Sequence, residues 1–316
     1  MRLETPDQIE EIARKFNGAA SAAAGGSDRD IIKLAALGNR GPELETISAD
    51  KLAAMDLPPV KYIVQGYIAE GLTVLAGRPK VGKSWMALGL ALAVASPDGH
   101  AFGSIPVEQG NVLYLALEDN KRRLKQRLNQ MLPSGSVPAR LDITMACPRL
   151  DRGGIEMIRR WVERHPGARL IVIDVFKKVR PEAQEKDSLY DSDYRAIEPL
   201  KQLADERGIA ILVLHHTRKM PADDPFDTVS GSTGLTGAAD TVLVLARDPQ
   251  GGTTLYGRGR DIEEVETAAK FDRVDGSWTI LGDPAQRRAI GDIAHSPSCR
   301  RANVAPRDRG CNRPVP

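Results

Sequence analysis

Eight residues, Gly77 to Ser84, read GRPKVGKS, and their types and spacing suit the binding of a chain of phosphates. Gly77 and Gly82 allow backbone conformations that a side chain would forbid and let the backbone approach an anion closely. The exposed N–H groups of such a loop, with the N-terminus of a following helix, face the phosphates. Lys83 is placed to reach the β- and γ-phosphates, and the Ser84 hydroxyl to hold Mg²⁺. The candidate nucleotide-contacting stretch is therefore Gly77, Arg78, Pro79, Lys80, Val81, Gly82, Lys83, Ser84 and the adjoining Trp85. A nucleotide with Mg²⁺ is the expected ligand.

Four further clusters stand where apolar runs end. Leu170–Asp174 (LIVID) is an apolar run closed by a carboxylate, suited to hold the Mg²⁺ shell from the side opposite Ser84. Tyr114–Leu117 is followed by Glu118 and Asp119; Glu118 is the candidate general base, and Asp119 a helix cap or a support for the metal shell, with Asn120 the alternative cap. Ile211–Leu214 leads into His215 and His216. On a strand two adjacent side chains point to opposite faces, so at most one histidine faces a nucleotide; a purely structural pair is the alternative. Arg258 and Arg260 follow the run Thr253–Tyr256 and are candidates to neutralise a γ-phosphate across a subunit boundary, or else solvated surface charges.

These clusters need a scaffold that brings strand ends together. Five apolar runs read as core strands: 72–76, 111–117, 141–146, 170–174 and 209–214. Helical patterns fall at 84–96, 120–132, 153–165 and 190–207. Strands alternating with helices predict an α/β fold, a mostly parallel sheet with helices on both faces. Runs at 241–246, 253–256, 265–271 and 277–281 come without intervening helical patterns and are expected as antiparallel strands added at one edge. In such a sheet ligands bind beyond the carboxyl ends of the strands, where the clusters above lie. The polar stretch 217–229 (TRKMPADDPFDTV) is expected to be a mobile loop over the site.

Three segments are expected. Residues 1–60 form an N-terminal extension, with a helix to about residue 16 after the capping pattern Thr5–Gln8 and a small-residue linker at 18–27. Residues 61–283 form the α/β domain. Residues 284–316 hold seven Arg and two Asp, a net of +5 against −3 for the remainder, and their lack of periodicity predicts a basic, disordered tail. Cys147, Cys299 and Cys311 are too few and too scattered for a disulfide framework, and with His295 they match no zinc spacing. The charged N-terminus has no signal-peptide pattern, and the longest apolar run is too short to span a bilayer. A cytoplasmic protein without a membrane partner is the expectation.

The segments EGLTVLAGRPKVGKSWMALGLALAVA, NVLYLALEDN, LIVIDVFKKVRP, ILVLHHTRK and GSTGLTGAADTVLVL together resemble the RecA-fold ATPases of the plasmid RepA helicase type, over about Tyr62 to Leu281. The resemblance implies a RecA-like P-loop NTPase core, ATP hydrolysis with Mg²⁺, a hexameric ring and single-stranded DNA as partner. It assigns Lys83 and Ser84 to phosphate and Mg²⁺, Glu118 to catalysis, Asp174 to the Mg²⁺ shell and His216 to phosphate sensing. Arg258 and Arg260 resemble the basic-x-Arg finger of related DnaB-type helicases. RepA-type helicases carry an arginine just before the block GSTGLTGAAD, where this chain has Ser230, so the finger is assigned to Arg260. The segment GDPAQRRAIGDIA resembles the start of a small C-terminal DNA-binding module found in some relatives, but the Pro/Arg-rich stretch after it is too short for one.

The expected function is a DNA-dependent ATP-hydrolysing motor, a hexameric helicase of a plasmid, phage or other mobile element. In such a motor Arg218 and Lys219 would grip DNA phosphates. An ATP-dependent loader or recombination mediator that unwinds nothing is the alternative on the same fold. A small-molecule kinase ranks third, because no acceptor-binding region stands out.

Overall fold

The computed structural model describes residues 44, 46–132, 135–182, 188–218, 222–229, 233–248 and 251–282. The expected N-terminal helix, the 18–27 linker, the basic tail, Lys219, Ser230, His295, Cys299 and Cys311 lie outside the described residues. The chain divides into two units, Met1–Pro58 and Pro59–Pro316. In the first, the described residues form one short helix, α1 (Ala49–Ala53).

The second unit is built on a nine-stranded sheet. Its central strand is β3 (Gly71–Gly77), buried along its whole length. On one side of it lie β9 (Ala210–His216), β8 (Ala168–Asp174), β6 (Asn111–Ala116) and β7 (Leu141–Thr144), all parallel. On the other lie β10 (Thr241–Arg247), β11 (Thr253–Gly259), β12 (Val265–Phe271) and β13 (Trp278–Ile280). Two short antiparallel ribbons, β1 (Tyr62–Val64) with β2 (Ile68–Ala69) and β4 (His100–Ala101) with β5 (Ile105–Pro106), complete the strands.

Strand periodicity sorts the side chains into two cores. Leu72, Val74 and Ala76 of β3 join one and Leu75 the other, as period-two alternation requires. Helix α2 (Lys83–Ala95) and Leu124 of α3 (Lys121–Met131) cover one face. Helices α4 (Gly154–Arg164) and α5 (Leu189–Arg207) cover the other, through Ile158, Trp161 and Val162, and through Ile197, Leu200 and Leu203. Helix α2 is apolar nearly all round because it lies between sheet and outer elements; α3 and α4 are amphipathic and shed their charges to solvent. Helix α5 stops at Gly208, whose φ of 58° is the left-handed conformation that ends many helices.

One strand departs from the expectation. The run 241–246 is not an antiparallel addition: β10 pairs parallel with β3, Thr241 opposite Thr73 and Leu245 opposite Gly77. The crossover is made by α6 (Thr233–Ala238), a single short turn of sequence TGLTGA. Two glycines and two threonines in six residues give no helical signal, so tertiary packing imposes this helix. Only β11, β12 and β13 form the antiparallel edge. Thr217 is bridged to Val229, and a 3₁₀ turn at Pro225–Thr228 is capped by Asp224.

Candidate active site

Strands β3, β9, β8 and β6 run parallel, so Gly77, His216, Asp174 and Ala116 finish along one edge of the sheet. Helix α2 begins there. Its N-cap, Gly82, has φ 111°, and Lys80 within the loop has φ 64°, so the loop turns sharply enough to aim its N–H groups outward. A side chain at Gly82 would also collide with the indole of Trp278, whose Nε1 donates to the Gly82 carbonyl at 3.2 Å.

Lys83 folds back into this loop. Its Nζ donates to the carbonyls of Gly77 at 2.6 Å and Arg78 at 3.1 Å, and lies 3.5 Å from Nδ1 of His216. Burial lowers its pKa to about 8, against the opposing pull of Asp174 and Glu118. Burial and the Lys83 charge also lower the pKa of His216, so this ring favours its neutral form beside the ammonium. His215 points the other way, edge-on to Phe176 at 6.4 Å in the opposite core. The two histidines thus divide between the faces of the strand, and His216 is the one at the loop.

Asp174 at the tip of β8 accepts hydrogen bonds from the Ser84 hydroxyl and, at 2.9 Å, from the phenol of Tyr114. Burial raises its pKa; those two bonds and the charge of Arg127 oppose the rise. A hydroxyl and a carboxylate in mutual contact are hard oxygen donors suited to Mg²⁺, and Ser84 and Asp174 would hold that ion beside the loop. Glu118 is exposed just beyond β6, close enough to influence the charges of Lys83, Asp174 and His216. The structure therefore brings Lys83, Ser84, Glu118, Asp174 and His216 to one edge.

Of the two roles expected of Asp119, the helix cap is corrected in favour of Asn120. The cap of α3 is Asn120, whose side chain accepts from Arg123 N at 3.0 Å. Asp119 is instead clamped by Arg123 and Arg127, each at 2.7 Å. Trp85 packs its ring against Arg127 at 5.2 Å and Phe271 at 5.9 Å. Arg127, Tyr114 and Trp278 were not singled out from sequence. Arg123 and Arg127, four residues apart on a helix face, with Asp119 just before the cap, were a local signal for the first; Trp278 lies 196 residues from Gly82 and offered none.

Arg258 and Arg260 are not brought to this edge. Gly259 pairs with Thr241, which pairs with Thr73, so about 13 Å of strand separates them from the loop of their own chain. Arg258 bridges Asp224 and Glu264 over the ring of Phe226. Arg260 donates to Asp240 at 2.9 Å and to the Gly237 carbonyl. Asp240 also holds Lys201 at 2.7 Å and the Leu72 amide at 2.9 Å.

The chain is similar to known proteins in two ways. A family model described as an AAA domain matches residues 39–222. Among solved structures, one described as an ATPase domain is similar with a TM-score of 0.56 and 16% identity, over 82% of this chain and 100% of that one. A DnaB-like replicative helicase studied with primase is similar with a TM-score of 0.58 and 16% identity, over 87% of this chain and 76% of that one. At this identity the likeness is one of fold, a RecA-like core with antiparallel strands at its edge.

Proposed function

The chain belongs to the AAA domain family, and from that premise we propose that it is an ATP-hydrolysing motor that acts on single-stranded DNA, a hexameric helicase of the RepA type serving a plasmid, phage or other mobile element. The observation that carries this reading is the convergence of Lys83, Ser84, Glu118, Asp174 and His216 on one sheet edge. A phosphate cradle with a single carboxylate would only bind nucleotide. Here a second, exposed carboxylate, Glu118, stands across from Lys83, where it can take the proton of an attacking water.

The roles follow from position. The amides of the loop and Lys83 bind the phosphates. Ser84 and Asp174 hold Mg²⁺, which when bound neutralises charge on the phosphate oxygens. His216 touches Lys83 at the start of the 217–229 stretch, so a change in the position of Lys83 passes directly to that stretch. Arg260 faces away from its own loop with half of its side chain exposed, as an arginine that completes a neighbour's site in a ring would.

The deciding experiment is steady-state ATP turnover with and without single-stranded DNA, with Lys83→Ala as the blank. Turnover stimulated by DNA supports the motor, and unwinding of a tailed duplex then separates it from a loader. Turnover indifferent to DNA would sink the motor reading.

A further inference from the structure

The first turn of α2 is gripped by the antiparallel end of the sheet. Strands β12 and β13 set Phe271 opposite Trp278, so the two rings share a face and lie 5.3 Å apart. The turn between the strands is tight: the Asp272 amide donates to the Ser277 carbonyl at 2.9 Å, and the Gly276 amide to the Asp272 carbonyl at 3.0 Å. Trp85 lies against that turn, since a Cβ at Gly276 would stand 2.4 Å from its ring. Gln130 of α3 donates to the Arg273 carbonyl at 2.8 Å. Trp278, buried, reaches the N-cap of α2 at Gly82. The hairpin thus holds α2 at Gly82 and Trp85, and α3 at Gln130.

The contact at Gly82 bears on phosphate binding. The Gly82 carbonyl accepts twice, from the Met86 amide at 3.0 Å and from Trp278 Nε1 at 3.2 Å. In a planar trans peptide the carbonyl and the following N–H point in opposite directions. Whatever holds the Gly82 carbonyl therefore aims the Lys83 amide. With the carbonyl drawn into the helix and the indole, that N–H points out of the helix N-terminus, where an anion is met.

Gly82 needs such a restraint. Its φ of 111° requires a residue without a side chain, and such a residue is the one least able to hold its own conformation. A Cβ there would also meet the Trp278 ring at 2.6 Å. A buried indole N–H seeks an acceptor, and any carbonyl in the core would meet that need. Trp278 instead takes the carbonyl of the one peptide that joins the left-handed N-cap to Lys83.

We propose that Trp278 is a positioning residue of the nucleotide site: its indole N–H fixes the Gly82–Lys83 peptide so that the Lys83 amide faces the phosphates before nucleotide arrives. The assignment rests on the ATP-hydrolysing reading above. Trp278 acts through the backbone and takes no part in the chemistry. An amide aimed in advance meets the phosphates in the ground state and the transition state alike, so loss of its aim raises KM and spares kcat.

The test compares the full chain with Trp278→Phe, which keeps an aromatic ring and removes the N–H. Trp161→Phe is the matched control: its Nε1 donates to Asp142 at 2.8 Å, and it packs in the core on the opposite face of the sheet. Affinity for a non-hydrolysable ATP analogue, KM and kcat for ATP, and unfolding temperature are measured on each. Trp278→Phe should weaken the analogue and raise KM by about five- to tenfold, the worth of one hydrogen bond, with kcat unchanged. Trp161→Phe should lower the unfolding temperature and leave analogue affinity and KM as they were. Trp278→3-benzothienylalanine, which keeps the double ring and lacks the N–H, should repeat the loss, and it decides the matter where Trp278→Phe does not fold. Unchanged analogue affinity in the Trp278 variants overturns the assignment, and so does an equal loss in Trp161→Phe. A fall in kcat at unchanged KM overturns it too, as does a loss seen with the smaller ring alone. An unaltered chain that binds the analogue no better than Lys83→Ala overturns the nucleotide reading together with Trp278.

Discussion

The phenol of Tyr114 donates to Oδ2 of Asp174 at 2.9 Å and reaches the Ser84 carbonyl at 3.4 Å, from a side chain that is almost wholly buried. Tyr114 therefore ties the tip of β8 to the first turn of α2 from within the core. It fixes one oxygen of Asp174 and leaves the other for the metal side. Burial and the neighbouring Asp174 charge raise the phenol pKa, so the group stays a donor throughout the working range of pH.

Tyr114→Phe removes this one bond without opening a cavity. The Mg²⁺ concentration for half-maximal binding of a non-hydrolysable ATP analogue should rise roughly tenfold, the usual effect of losing a partner of a metal ligand. The unfolding temperature should fall by only about 2–4 °C, as expected for about 1 kcal/mol. An unchanged Mg²⁺ requirement with a lowered unfolding temperature would reduce Tyr114 to a core residue.

Lys83 gives a pH signature. Its pKa is about 8, depressed below the ordinary lysine value by burial. Phosphate favours the ammonium and raises that pKa, so above pH 8 binding must take up a proton. Affinity for an ATP analogue should hold below about pH 8 and then fall by up to about tenfold per pH unit. For folding the sign is opposite: the neutral amine is favoured in the fold, so this residue's contribution to stability grows as pH rises from about 8 towards the unfolded value. Titrations of binding between pH 7 and 10 check the first effect, and Lys83→Met should abolish the slope. A flat profile in the unaltered chain would mean that Lys83 is charged throughout.

Those two residues show what local sequence can carry. Lys83 was legible because the phosphate loop is a contiguous motif bounded by an apolar strand and an apolar helix. Asp174, Glu118 and His216 were legible because each ends an apolar run, and parallel strands gather such ends. Tyr114 was not, since an aromatic inside an apolar run reads as core, and its bond to Asp174 needs the pairing of β6 with β8. Trp278 reaches Gly82 only through the order β13-β12-β11-β10-β3, which no window of sequence contains. The parallel placement of β10 was hidden for the same reason: α6 has a composition that denotes a loop and becomes helix against α5.

Glu118→Gln tests the general base. It keeps the size and exposure of the side chain and removes its basicity. Binding of ATP should persist while turnover falls by about two to four orders of magnitude. Unchanged turnover would move the base elsewhere. Asp119 is a poor second choice, because Arg123 and Arg127 occupy its oxygens and hold its pKa low.

Arg260 and Asp240 separate a structural arginine from a functional one. Asp240 is buried and serves Leu72, Lys201 and Arg260 together. Asp240→Ala leaves Lys201 with only the exposed Asp205 and frees the buried Leu72 amide, and should destabilise the fold by about 1–3 kcal/mol, read by denaturant unfolding. Arg260→Ala leaves Lys201 and Leu72 to satisfy Asp240, and its own half-exposed ion pair is worth at most about 1 kcal/mol. If Arg260 completes the site of a neighbouring subunit, Arg260→Ala should bind nucleotide normally, unfold within about 1 kcal/mol of the unaltered chain and lose turnover by about a thousandfold or more. Mixing it with Lys83→Ala should then restore part of the turnover, because each mixed interface can pair an intact loop with an intact arginine. Normal turnover by Arg260→Ala alone would confine this residue to its bond with Asp240.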